Sequence, residues 1–163
     1  MNREHLRDQL LGPVLQCTRL GRQTSQLLAV SSEVVNQRTR RLLRAGPIPG
    51  EAEWAEVALM AREKVEVPLE SVTAMAAAMV PAALRFWTHA TQSMLALGSD
   101  SLSLASSRSP DDFRVRQAAL GTTMVNAAVG WFQLYGVAAD VAGEGLKPVL
   151  REVKANATRL AKR

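Results

Sequence analysis

One cysteine, two histidines and very few aromatic residues limit what this chain can do. A lone Cys17 excludes an intramolecular disulfide and a cysteine-based metal site. A reducing compartment suits such a chain, so a cytoplasmic location is expected. No β-branched run alternates over four to eight residues, so strands are not expected. Without strands there is no strand-borne phosphate loop, and neither a His-Glu-x-x-His pair nor a Cys/His cluster is present. No catalytic residue, metal site or cofactor is therefore expected, and the chain does not read as an enzyme. The first residues, Met1 to Asp8, mix both charges with no apolar run behind them, which is not the pattern of a signal peptide.

What is abundant is Ala, Leu, Val and Met, a helix-forming mixture. The expected fold class is all-α, with long amphipathic helices forming an elongated bundle or a coiled-coil-like assembly. The net charge of +5 is compatible with an anionic partner but modest for 163 residues.

The breaks divide the chain at residue 50. Residues 1–13 end in Gly12-Pro13 and read as a tail or a short turn. A first helix is expected from Val14 to Arg44, with Leu20, Leu27, Val30, Val34 and Val35 at helical spacing. Gly46-Pro47-Ile48-Pro49-Gly50 then interrupts it. Residues 1–50 are accordingly a helical extension with a basic end, and residues 51–163 a second helical domain. The second helix opens on Glu51, Glu53 and Glu56, placed where the helix dipole favours negative charge. An apolar stripe then steps by threes and fours from Val57 through Val65, Val72, Met79 and Trp87 to Leu97. Pro68 and Pro81 sit inside it and are expected to kink the helix without ending it. The serine-rich stretch 99–109 is expected to be a boundary. Ser109-Pro110-Asp111-Asp112 reads as an N-cap, a proline at the first helical position and acids in the first turn. A third helix is expected from Pro110 to about Asp140, closed by Gly143-Glu144-Gly145. A short basic segment from Lys147-Pro148 would follow.

Between Gln117 and Ala139 there is no formal charge. A bilayer span wants about 20 predominantly apolar residues. This stretch has the length but is interrupted by Thr122, Thr123, Asn126 and Gln133. It suits a helix that seeks an apolar surface, or a bundle helix packed on several sides.

Three side-chain groups invite a chemical reading. His89 lies one turn before Ser93, yet no orienting acid accompanies them, and a polar-edge histidine is the plainer reading. Glu63, Glu66 and Glu70 share a face but lack the histidine partners of a bundle metal site, so they read as a solvated acidic face. Arg38, Arg40, Arg41 and Arg44 could contact phosphates or another anionic partner. No aromatic residue lies among them to stack on bases, and basic residues at a helix C-terminus need no ligand to explain them.

Specific strings narrow the reading. Leu59-Met60-Ala61-Arg62-Glu63-Lys64-Val65-Glu66, then Glu70-Ser71 and Met75-Ala76, are followed by Ser107-Arg108-Ser109-Pro110-Asp111-Asp112-Phe113-Arg114-Val115-Arg116-Gln117. The chain ends with Lys147-Pro148 and Ala155-Asn156-Ala157-Thr158-Arg159-Leu160. In this order and spacing, from Glu51 to Leu160, they resemble the phasin family, the small helical proteins that coat bacterial polyhydroxyalkanoate storage granules. The resemblance implies a non-enzymatic coat protein on the granule surface. The apolar stripe is expected to bury itself in a homo-oligomer in solution, and the basic tails to add weak contact with nucleic acid or a granule enzyme. Residues 1–50 lie outside it.

On this reading the helices adsorb through Met75, Met79, Leu84, Trp87, Met94, Met124, Trp131 and Leu134. Two other classes stay open. One is a membrane-associated helical protein using 117–139, and the other a scaffold that binds nucleic acid or protein through Arg38 to Arg44.

Overall fold

In the computed structural model the chain is all-α: three long helices pack against one another, and there is no strand among the described residues. The structure describes residues 3–45 and 50–161. Helix α1 runs Arg3–Ala45, α2 Glu51–Ala105 and α3 Pro110–Ala161. The break expected at 46–49 lies outside the described residues.

The helices are longer than the sequence signals suggested. Helix α1 continues through Gly12-Pro13 to Arg3. Pro13 is buried, and its backbone lies so near Gly136 that a Cβ there would fall 2.9 Å from Pro13 Cα. Proline removes one backbone hydrogen bond; close packing offsets that loss. Helix α2 is uninterrupted across Pro68 and Pro81, and it continues through the first serines to Ala105. Gly50 O accepts the Trp54 N–H at 3.1 Å and so begins this helix.

Helix α3 starts as its sequence indicates. Asp112 N–H donates to Ser109 Oγ at 3.1 Å, and Phe113 N–H donates to Ser109 O at 2.9 Å. Its end does not follow expectation, because Gly143, Gly145 and Pro148 all lie inside the helix. These three residues are buried. A Cβ at Gly145 would fall 2.5 Å from Met75 Sδ. The glycines serve close approach here, not termination.

Two compact units divide the chain. Unit 1 comprises residues 1–17 and 79–139; unit 2 comprises 18–78 and 140–163. Each takes pieces from all three helices. Small and polar residues fill most inner positions of both, with Val34 and Leu160 as larger apolar members in unit 2. Unit 1 buries Pro13, Ser93, Ala127, Gly136 and Ala139, and unit 2 buries Val34, Gly143, Asn156 and Leu160. Among the described residues no large side chain is completely buried.

Candidate functional surfaces

The apolar stripe of α2 had two destinations open to it, a bundle core or an external partner. It lies outward. Val65, Val72, Met79, Trp87 and Met94 are all exposed, Met94 at 75 %. The inner positions instead follow Glu56, Glu63, Val67, Ser71, Ala74, Ala78 and Ala82, then His89, Ser93 and Asp100. The packed side of this helix is mostly small and polar, with Leu59, Met60, Val67 and Leu97 half-buried among those residues, while most of its large apolar side chains stay exposed. In water-soluble bundles the apolar stripe faces the core. Packing through small residues and hydrogen-bonding polar ones is the pattern of helices whose surroundings are apolar.

The outer surface of unit 1 carries Met79, Leu84, Trp87, Met94, Met124 and Trp131 from the expected contact set, all exposed. Leu134, the seventh in this unit, is half-buried. Met75 belongs to unit 2, where its thioether packs on Gly145. Phe86 and Trp131 meet edge to face with ring centroids 5.5 Å apart, and Phe86 meets Trp87 in the same way at 5.4 Å. Phe86, Trp131, Leu134, Tyr135 and Ala138 line an open apolar groove of about 470 Å³. Phe86 and Tyr135 lie outside the expected contact set. Phe86 lies one position before Trp87 and Tyr135 one after Leu134, so both widen the same apolar side.

His89 faces inward and not along the edge of the helix. Its Nε2–H donates to the Ala127 carbonyl at 3.2 Å, Ser93 Oγ lies 3.3 Å from the same nitrogen, and its ring stands edge-on to Trp131. Thr123 Oγ1–H donates to Asp100 Oδ2 at 2.5 Å. These contacts satisfy polar groups between the helices of unit 1, where an unpaired group would cost stability. The arrangement gives His89 a structural role and places no nucleophile or orienting acid beside it.

The end of the α2–α3 hairpin is tied by Arg116. Its guanidinium donates to Ser103 O, Ser103 Oγ and Ser106 Oγ, and its Nε–H to Asp112 Oδ1 at 2.7 Å. The Arg116 hydrogen bond and then the Arg108 backbone N–H hold the Asp112 carboxyl below its ordinary value of 3.8.

Unit 2 has a charged interior. Arg38 Nη2 donates to Glu63 Oε2 at 3.1 Å, and its Nε lies 3.4 Å from Glu56 Oε1 without being aimed at it. Arg159 donates to Glu56 at 3.0 Å and to Asn156 at 2.9 Å, and Asn156 donates to Glu63 at 3.0 Å. The Arg38 and Glu63 side chains are only 18 % and 15 % exposed. All three helices contribute, so the network sets their register. The expected solvated acidic face is thereby divided. Glu63 turns inward, while Glu66 pairs with Arg62 and Glu70 with Arg151 at the surface. Those carboxylates raise the pKa of both guanidiniums, chiefly through the hydrogen bonds. The basic cluster divides likewise, with Arg38 turned inward and Arg40 and Arg44 exposed. Among the described residues no group of three or more His, Cys, Asp or Glu side chains could hold a metal ion.

No protein-family model, curated protein or solved structure matches this chain.

Proposed function

We propose that this protein is a non-enzymatic coat that binds an apolar polymer surface through the outer faces of α2 and α3. The phasin resemblance names the polymer, polyhydroxyalkanoate, and with it a cytoplasmic place at the granule surface. The observation that carries the reading is the largely exposed apolar stripe of α2, from Val65 to Met94, over an inner side made mostly of small and polar residues. Adsorption removes those side chains from water, at roughly 1.5–3 kcal/mol for each large one fully buried. Many modest contributions add up, so no single residue is indispensable. In water the same surface is available to a second copy of the chain, so self-association is expected to compete with adsorption.

The test is co-sedimentation with polyhydroxybutyrate particles at low and high salt. Binding should be insensitive to salt. Trp87→Ala should weaken it mildly, and Met79→Glu with Trp131→Glu should abolish it while helicity is retained. Undiminished binding by a folded double variant refutes the reading.

One observation favours a second reading. The helical stretch Trp54–Ala105 is long and apolar enough to cross a membrane, and its most apolar window is not buried within the protein. A membrane-associated protein would pellet with liposomes and resist carbonate extraction, and it would use α2 ahead of the uncharged part of α3.

A further inference from the structure

We infer that the α2–α3 hairpin of unit 1 lies flat on the polymer by one specific face, while its other face and the whole of unit 2 stay in water. The inference rests on the proposed coat function and adds which surface enters the apolar phase.

Charge distribution selects the unit. From Met79 to Ser99 the only charged residue is Arg85, and from Gln117 to Ala139 there is none. The charges of the hairpin gather at its closed end, in Asp100, Arg108, Asp111, Asp112, Arg114 and Arg116. Unit 2 has the Arg38–Glu56–Glu63–Arg159 network inside and the Arg62–Glu66 and Arg151–Glu70 pairs outside. Moving such charges into an apolar phase is expensive even when they are paired. The middle of the unit 1 hairpin carries less of this penalty. Arg85 is its one charge, His89 bonds across to the Ala127 carbonyl, Ser93 lies against His89 along α2, and the Thr123–Asp100 bond sits toward the charged end.

Helical geometry selects the face. With His89 and Ser93 marking the inner line of α2, Met79, Phe86, Ala90 and Met94 follow one side of it, with Trp87 beside them. Arg85, Thr88, Gln92 and Ser99 follow the opposite side and are exposed, with Leu84 and Leu95 beside them; that side is the more polar of the two and carries no aromatic residue. On α3, Trp131, Met124 and Tyr135 flank one side of the Ala127 line, whereas Thr122 and Asn126 lie away from it and are exposed. The Phe86–Trp131 contact joins the two apolar sides into one surface. Arg85, Gln92 and Asn126 sit at mid-segment, so a hairpin that crossed a bilayer would strand them in hydrocarbon. A hairpin lying on a surface leaves them wet. The matching partner is a neutral, water-excluding solid that contacts one side only, as a polyester particle does.

Three tryptophans allow a direct test. Trp87 and Trp131 lie on the inferred face, and Trp54 belongs to unit 2. Single-tryptophan variants, with the other two changed to Phe, are mixed with polyhydroxybutyrate particles. Emission from Trp87 and Trp131 should shift to shorter wavelength and acrylamide quenching should fall several-fold, while Trp54 is unchanged. A polarity-sensitive dye on Gln92→Cys or Asn126→Cys, in a Cys17→Ser background, should still report water. Hydroxyl-radical footprinting of the unaltered protein gives the same answer without substitution, with protection at Trp87, Met94, Trp131 and Tyr135. Bound protein in which Trp87 and Trp131 remain quenchable, or Trp54 becomes shielded, overturns the inference and leaves the coat function standing. Shielding of the residue 92 and 126 dyes, on particles or on liposomes of neutral phospholipid, overturns it in favour of deep insertion. Failure of the unaltered protein to sediment with the particles refutes the coat function itself.

Discussion

Gly130 lies directly against the His89 ring, so close that a Cβ added at Gly130 would fall 2.0 Å from His89 Cε1. The ring has little freedom to move, because its nitrogen is hydrogen-bonded to Ala127 O and its edge meets Trp131. Gly130→Ala should therefore destabilise the protein by about 1–3 kcal/mol through overpacking, despite alanine's better helix propensity. Gly121 is the control, since nothing lies within 4 Å of a Cβ there. Gly121→Ala should stabilise by up to about 1 kcal/mol. Thermal melts of the two variants should move in opposite directions. His89→Ala combined with Gly130→Ala should recover part of the loss, because the obstructing ring is gone.

Arg38 and its neighbours Arg40 and Arg44 look alike in sequence and should behave differently. Replacing Arg38 with Gln removes one of the two guanidiniums, Arg38 and Arg159, that pair with Glu56 and Glu63 in a mostly buried site. Breaking a buried pair by removing one partner costs roughly 3–5 kcal/mol. The residual exposure of this site lowers the expectation to about 2–3 kcal/mol. Arg40→Gln and Arg44→Gln, on the exposed side, should stay within about 0.5 kcal/mol. Chemical denaturation separates the cases. The Arg38 effect should persist in added salt, since buried charges are screened less than exposed ones.

Asp112 gives the protein an acid-sensitive contribution at the start of α3. Its folded carboxyl is held below the ordinary value of 3.8 by Arg116 and then by the Arg108 backbone N–H. A depressed folded pKa contributes stability that is present above the unfolded value and lost as pH falls through the folded one. Melting temperature should therefore decline as pH drops below the usual carboxylate range. Asp112→Asn should be less stable than the parent at neutral pH and show a shallower decline. An identical pH dependence in the two proteins would remove Asp112 from this role.

The helices were legible from sequence because each has a local cause. Ser109 caps α3 as its side chain and the following proline and acids indicate, and Glu51 opens α2 after a cluster of breakers. Legibility failed where tertiary packing overrides a local rule. Pro13 and Pro148 read as segment boundaries and Gly143 as a helix terminator, but each sits at a buried position inside a helix. Glu63 and Arg38 read as surface charges because nothing in either neighbourhood reveals a partner 25 residues away. The stripe of α2 was visible by its period, but period does not say which side of a helix packs. The other side offered the missing signal. Glu56, Glu63, Ser71, His89, Ser93 and Asp100 also recur at helical spacing, and a repeated polar line can form an interface when partners satisfy it.

Met94 and Leu95 test whether the outer surface serves folding or binding. They are 75 % and 69 % exposed, so neither contributes much to the packing of unit 1. Met94→Gln with Leu95→Gln should leave the melting temperature nearly unchanged, within the roughly 0.5 kcal/mol usual for surface substitutions. Glutamine propagates a helix about as well as methionine or leucine, so helicity should hold as well. Met94 alone lies on the face assigned to the polymer, whereas Leu95 lies toward the Arg85 side. The single variant Met94→Gln should accordingly weaken polymer recruitment more than Leu95→Gln does. Equal effects of the two would mean that overall hydrophobicity, and not one face, governs adsorption. A large fall in melting temperature would mean that the exposed stripe is a folding surface, covered in solution by another copy of the chain. Sedimentation equilibrium on the same variants separates these outcomes, because loss of a self-association interface lowers the molar mass while loss of a polymer-binding face does not.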